Sequence, residues 1–288
     1  MKKFSLMFLI TVMSLSLLSS FNIGSVSAKA SYASTLEMVK LSHYSYFNLE
    51  TGRLGSYLNK PGKKTLFKEL NSLSKNYKKE ITTFDTMRDW VVVDRMGDSN
   101  LGFFGIAFKN PRVNEIVIAF RGTHDFLDFK QDFDLAMNRA SAREQLAPAQ
   151  IFVKGVANNN RGYKISLTGH SLGGWIAQYM VYRINEYGII DDRILKNAET
   201  FNAPGYWKPS RSDKKYASLI RNNQHWNRVT TRYSDPINFI VKGDLVSDFL
   251  FDGHIGKKRK LYALGYDGAH SIKSYYAQPY KENGNLPK

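Results

Sequence analysis

Apolar and polar positions follow two different rhythms along this chain, and the switches between them lay out its elements. Within residues 32–50, Leu36, Val39, Leu41, Tyr44, Phe47 and Leu49 recur at the spacing of an amphipathic helix. Gly52, Gly55 and the Pro61-Gly62 pair punctuate the chain, and Leu66, Phe67, Leu70, Leu73 and Tyr77, with Lys and Glu between them, predict a second, surface helix over 65–80. Short apolar runs then take over. Residues 90–95 and 101–109 have strand character, and 115–120 read as a buried central strand. Residues 149–156 return to helical spacing. Ile165 and Leu167 alternate ahead of Gly169, after which Ile176, Tyr179, Met180 and Ile184 mark a helix that stops near Gly188. Residues 198–201, 229–233, 239–242 and 260–264 are further strand candidates, a short amphipathic segment follows Ile272, and the polar, basic stretch 206–228 reads as a surface excursion. Strands alternating with helices predict an α/β fold.

The first thirty residues stand apart from this pattern. Lys2 and Lys3 precede an apolar run from Phe4 to Leu18, and Ala28-Lys29-Ala30 supplies small residues at alternate positions, the order expected of a secretory signal peptide cleaved after Ala30 or, alternatively, Ala28. A retained membrane anchor is the other reading, but no stop-transfer charges flank the run. Residues 31–288 hold no repeat or low-complexity linker and predict a single catalytic-sized domain.

Composition narrows the chemistry. The formal charge is +16, and residues 1–30 carry three Lys and no acid, so the remainder keeps +13. Such a charge draws an exported protein toward anionic surfaces, whether lipid headgroups or cell-wall polymers. The basic residues are scattered and form no stripe, which argues against nucleic acid as partner. There is no Cys, so thiol catalysis, thiolate metal sites and disulfides are excluded. Neither a phosphate-binding glycine loop ending in Lys-Ser/Thr nor an H-E-x-x-H occurs. Asp128 and Asp132 lie four apart on one helix face and read as solvated charges.

Against this background Gly169-His170-Ser171-Leu172-Gly173 stands out: a G-x-S-x-G turn between a strand and a helix. The chemistry explains its small residues. A nucleophilic Ser171 needs a strained, sharply turned backbone that exposes its hydroxyl, and glycines on either side leave room for the reversal. Charge developing on an attacked carbonyl would be met by the Leu172 N–H at the helix start. The plain alternative is a Ser that caps the helix. Upstream, Arg121-Gly122-Thr123 ends the central strand, and the Thr123 N–H and hydroxyl suit the second half of an oxyanion hole; an ordinary capped turn would use the same residues.

A serine hydroxyl is a weak nucleophile, so a neutral His must take its proton and a carboxylate must fix that His. His43 and His124 precede the nucleophile, His170 adjoins it and is set aside as pointing away, and His225 precedes the better acid. His270, in a loop near the end, is the candidate base, with His254 the runner-up. Asp244 follows an apolar strand and is the candidate acid, with Asp235 in the turn before Pro236 as the competitor and Asp248 and Asp252 as remote options. The apolar segment 126–142 suits either a mobile lid or a packing face.

Phe120-Arg121-Gly122-Thr123, Asp128-Phe129, Asp132-Phe133, Thr168-Gly169-His170-Ser171-Leu172-Gly173-Gly174 and Phe201-Asn202-Ala203-Pro204-Gly205 together resemble the class 3 lipase family of the α/β-hydrolases, in its secreted bacterial form, over about residues 94–275. The resemblance implies a mostly parallel central sheet with helices on both faces. It also implies Ser171 as nucleophile, Asp244 and His270 as acid and base, and Thr123 with the Leu172 amide as oxyanion hole. The implied activity is hydrolysis of acylglycerol, phospholipid or related esters, usually with no metal cofactor. Asp235-Pro236-Ile237 resembles the family's acid motif as well as Asp244-Leu245-Val246 does, and the region after Asp132 departs most from fungal members. The reading is therefore a secreted serine ester hydrolase on lipid acyl esters, with a phospholipase A1 and a non-catalytic surface-binding protein as alternatives. The oligomeric state is open.

Overall fold

The apolar runs pair into one eight-stranded sheet whose order follows the chain. The strands are β1 (Gly52–Arg53), β2 (Val91–Asp98), β3 (Phe103–Asn110), β4 (Glu115–Phe120), β5 (Lys164–His170), β6 (Leu195–Phe201), β7 (Ile237–Val241) and β8 (Lys257–Leu261). β1 to β4 pair antiparallel, and β4 to β8 pair parallel. Among the described residues three α-helices accompany them: α1 (Thr35–Tyr44), α2 (Leu146–Asn159) and α3 (Leu172–Tyr187). This computed structural model describes residues 31–47, 49–55, 87–123, 143–206, 236–250, 253–262, 264, 268–281 and 283–287. Contacts divide the chain into Met1–Ser31 and Tyr32–Lys288, and the sheet belongs to the second unit. The helix expected over 65–80, the apolar segment 126–142, the excursion after Tyr206, the strand expected over 229–233 and residues His124, His225, Asp235 and Asp252 lie outside the described residues.

β4 shows how the sheet separates two cores. All six of its residues are buried, and because side chains alternate, Ile116, Ile118 and Phe120 join one cluster while Val117 and Ala119 join the other. The first cluster is completed by α2 and α3, through Val153, Val156, Ile176 and Met180. The second is completed by α1 and the short 3-10 helix Ile272–Ala277, through Met38, Val39, Leu41 and Tyr275. Helices therefore cover both faces, the α/β-hydrolase arrangement expected from the sequence. α1 is buried almost all round, Lys40 included, so its apolar spacing understates its burial.

Several strands differ from expectation at their ends, and two of the differences have a visible cause. β6 starts at Leu195, ahead of the apolar run, because Leu195 and Asn197 find parallel partners in Ile165 and Ser166. β8 lies over Lys257–Leu261 rather than 260–264. Its four basic residues look like loop, but a strand at the sheet edge needs pairing on one side only, here to β7, and lysines on a free edge discourage pairing with another chain.

The α1 side of the sheet also holds buried carboxylates. Glu115 accepts the Ser166 hydroxyl at 2.5 Å and the Ala33 N–H at 2.7 Å, tying the start of the unit to β4 and β5. Glu199 on β6 is nearly sealed from water and accepts from Asn197 Nδ2 at 3.1 Å. Burial, opposed by the Asn197 and Thr35 side chains, pushes its carboxyl up to about 7. The folded value lies above the unfolded one, so the stability tied to its protonated form is complete below about pH 4.3 and is lost as pH rises through about 7. Glu199→Gln, which keeps the shape of the neutral acid, is expected to gain on the order of 2 kcal/mol over the parent between pH 5 and pH 8. Melting curves at the two pH values check this; an equal offset at both would contradict it.

Candidate active site

The turn from β5 into α3 is built around close approach. A Cβ on Gly173 would collide with the Phe120 carbonyl, and one on Gly169 would collide with Gly173 itself, so both positions exclude any side chain. Between them Ser171 is fully buried and takes φ 56° and ψ −129°, a conformation a non-glycine residue adopts only under constraint. The constraint is visible: its N–H donates to the Phe201 carbonyl at 2.9 Å, and its carbonyl accepts the first helical N–H, from Trp175, at 3.2 Å. The Ser171 hydroxyl does not cap the helix. The plain capping alternative is thereby set aside.

The hydroxyl lies instead 3.1 Å from His270 Nε2, and His270 Nδ1 lies 2.9 Å from Asp244 Oδ1. A carboxylate can only accept, so Nδ1 carries the proton and Nε2 is the acceptor for the Ser171 O–H. Asp244 is buried, its Oδ2 accepts the Ser247 hydroxyl at 2.5 Å, and its Oδ1 accepts the Val246 N–H at 3.1 Å. Burial alone would raise the Asp244 carboxyl; the hydrogen bond and charge of His270, followed by Ser247 and Val246, outweigh it and hold the group below its usual range. The ring of His270 is thus fixed in one tautomer by an ionised partner, with its free nitrogen aimed at a hydroxyl. Such an arrangement can remove a proton from Ser171 and return it to a leaving group.

The remaining candidates fall into place around this line. The Arg121-Gly122-Thr123 loop leaves β4 and lies against the turn: a Cβ on Gly122 would sit 2.7 Å from the His170 carbonyl and 3.2 Å from Ser171 Cβ. Thr123 is exposed, and Leu172 is the first residue of α3, where backbone N–H groups have no intrahelical acceptor. His254 is buried with Nε2 3.4 Å from the Ser247 carbonyl, on the far side of the acid from Ser171 in the hydrogen-bond order. Asp248 pairs with Lys260 at 2.6 Å, and His43 meets the Tyr276 hydroxyl at 3.0 Å. The competing acid Asp235 lies outside the described residues.

Two residues at the site were not singled out for it by sequence. His170, set aside as an elbow neighbour, does stay clear of the Ser171 hydroxyl, but its Nε2 meets the His270 carbonyl at 2.6 Å and its Nδ1 meets the Tyr46 hydroxyl at 2.9 Å. Asn202, at φ 47° just beyond β6, donates from Nδ2 to the Ala269 carbonyl at 2.7 Å and accepts at Oδ1 from the Val241 N–H and the Tyr275 hydroxyl, both at 2.9 Å. An Asn directly after an apolar strand and before Ala-Pro-Gly is the residue type that marks a turn, and its left-handed backbone agrees with that.

Comparison with known proteins adds the family. The family model described as Mbeg1-like matches residues 72–227, more than half of the chain. The chain belongs to the Mbeg1-like family. No curated protein matches it. Among solved structures, the Mbeg1-like chain is similar to a lipase from Rhizopus microsporus var. chinensis, with a TM-score of 0.51 and 14% identity over 87% of this chain and 83% of that one. It is likewise similar to a deletion mutant of the Rhizomucor miehei lipase with its propeptide, with a TM-score of 0.50 and 13% identity over 90% of this chain and 80% of that one. At such identities the Mbeg1-like chain shares their fold, and its chemistry has to be argued from its own residues.

Proposed function

We propose that this Mbeg1-like protein is a secreted serine ester hydrolase of the class 3 lipase kind, acting on lipid acyl esters. The observation that carries the reading is the line Ser171 Oγ, His270 Nε2, His270 Nδ1, Asp244 Oδ1, with separations of 3.1 and 2.9 Å, starting from a strained and buried serine. In this reading His270 takes the Ser171 proton as Oγ attacks the ester carbonyl, and Asp244 stabilises the imidazolium. The Thr123 and Leu172 amides hold the oxyanion. Collapse expels the alcohol, protonated by His270, and leaves an acyl-enzyme on Ser171. Water activated by the same His270 then releases the fatty acid. Each step is completed by side chains and backbone N–H groups of this chain. Residues 1–30 act as the export signal, and residues 31–288 form the one catalytic domain.

The charge of the chain favours phospholipid over triacylglycerol as substrate, a phospholipase A1 reading. The formal +13 left on residues 31–288 concentrates the protein on anionic headgroups, and the attraction weakens with salt. Fatty acid release from phosphatidylglycerol vesicles and from emulsified triacylglycerol, compared at low and high salt, tests it. Faster release from the anionic vesicles, reduced by salt, is expected. Preference for triacylglycerol would favour the lipase reading, and binding to vesicles with release from neither substrate would favour a non-catalytic surface-binding protein.

A further inference from the structure

The hydrogen bonds of His170 join three segments that the proposed chemistry needs in register. His170 ends β5, on the face covered by α1, and its ring lies between the Tyr46 hydroxyl and the His270 backbone. Tyr46 comes from the turn that closes α1, where its N–H donates to the His43 carbonyl at 3.1 Å. The chemistry of the partners fixes every proton. The His270 carbonyl can only accept, so His170 Nε2 carries the proton and donates. In the neutral ring Nδ1 then accepts, and the Tyr46 O–H donates to it. The Tyr46 oxygen is left to accept, and Gly122 packs against it, so closely that a Cβ there would lie 2.5 Å away. A line of contacts thus runs from the loop at Gly122, packed on Tyr46, through the Tyr46–His170 hydrogen bond, to the backbone of His270.

We propose that Tyr46 and His170 are positioning residues that hold the oxyanion loop and the general-base loop against each other across Ser171. The proposal rests on the hydrolase reading above. Both ends of the bridge lie in loops beyond strand ends, where side chains hold the backbone in place. The base loop is held at consecutive carbonyls: Ala269 by Asn202 at 2.7 Å and His270 by His170 at 2.6 Å. At the other end, a Cβ on Gly122 would come within 2.5 Å of the Tyr46 hydroxyl, so the loop rests directly on it. The bridge also has to remain uncharged. The His170 and His270 rings are 5.0 Å apart, and a cation at His170 would oppose the imidazolium that forms at His270 during each turnover. Burial first, and the neighbouring His270 second, lower His170 to about 3, which keeps it neutral near pH 7.

Tyr46→Phe removes one hydroxyl and no ring, and His170→Phe keeps a ring with neither donor nor acceptor. The test measures kcat and KM on a soluble short-chain aryl ester, the rate at which a serine-directed phosphonate labels the protein, and the melting temperature. For Tyr46→Phe we expect kcat to fall ~10- to 100-fold, the scale on which small misplacements act. KM should stay within about threefold and the labelling rate should fall in step with kcat. His170→Phe should lose at least as much. Turnover within about threefold of the parent in both variants, or a change confined to KM, would overturn the proposal. Absence of both turnover and labelling in the parent would instead overturn the hydrolase reading beneath it.

Discussion

Ser171→Ala is expected to lower turnover of a soluble aryl ester at least ~10⁴-fold, with no loss of fold. The two halves of this expectation have separate causes. The hydroxyl lies 3.1 Å from His270 Nε2, so its removal takes away the nucleophile that this base would deprotonate. The fold should survive because the hydroxyl makes no helix cap, and the strained backbone at φ 56° is held by the Phe201 carbonyl and the Trp175 N–H, both of which bond to the main chain. Ala tolerates that conformation no worse than Ser does. Initial rates and melting curves on the same preparations measure both. Retained turnover would remove Ser171 from the reaction, and a collapsed melting curve would show that the hydroxyl is structural.

Asp244→Asn comes second in size, with an expected fall in kcat of ~10³- to 10⁴-fold. An amide turned toward His270 presents N–H to Nδ1, which stabilises the tautomer whose proton sits on Nε2 and points at Ser171, the reverse of what the reaction requires. The neutral side chain also withdraws the charge that offsets the imidazolium. The pH behaviour follows from the depressed carboxyl. Its folded value lies below the unfolded one of about 3.9, so its contribution to stability is present above that pH and disappears as pH falls through the folded value. In the parent, thermal stability should therefore drop at acid pH more steeply than in Asp244→Asn. Parallel melting curves from about pH 2 to 5, which span the unfolded value and the range below it, distinguish the two, and superimposable acid limbs would contradict the pairing.

The site was legible in the sequence to the extent that its chemistry is local. Gly169, Ser171 and Gly173 sit within five residues of one another, and the collision of a Gly173 side chain with the Phe120 carbonyl explains why that spacing can be read without coordinates. The strands beside it were legible for a similar reason: β4 is buried on both faces and so reads as an unbroken apolar run. β8 was misplaced because its register is set by backbone bonds to β7, which leave no trace in a Lys-Lys-Arg-Lys run. The bridge was illegible because Tyr46 and His170 are 124 residues apart, and nothing near either residue announces the other. Asn202 and Ala269 are 67 apart and pose the same problem. The contact of Asp244 with His270 spans 26 residues and is tertiary in the same way, so the sequence alone leaves Asp235, in a similar short motif, standing beside it as a competitor.

The most direct test of the central claim is to treat the parent protein with a serine-directed alkyl phosphonate and locate the adduct by mass spectrometry of its peptides. The Ser171, His270 and Asp244 line predicts one stoichiometric adduct on the peptide containing Ser171, formed at a rate that falls sharply in Asp244→Asn. An unlabelled protein, or an adduct on any other serine, would contradict it.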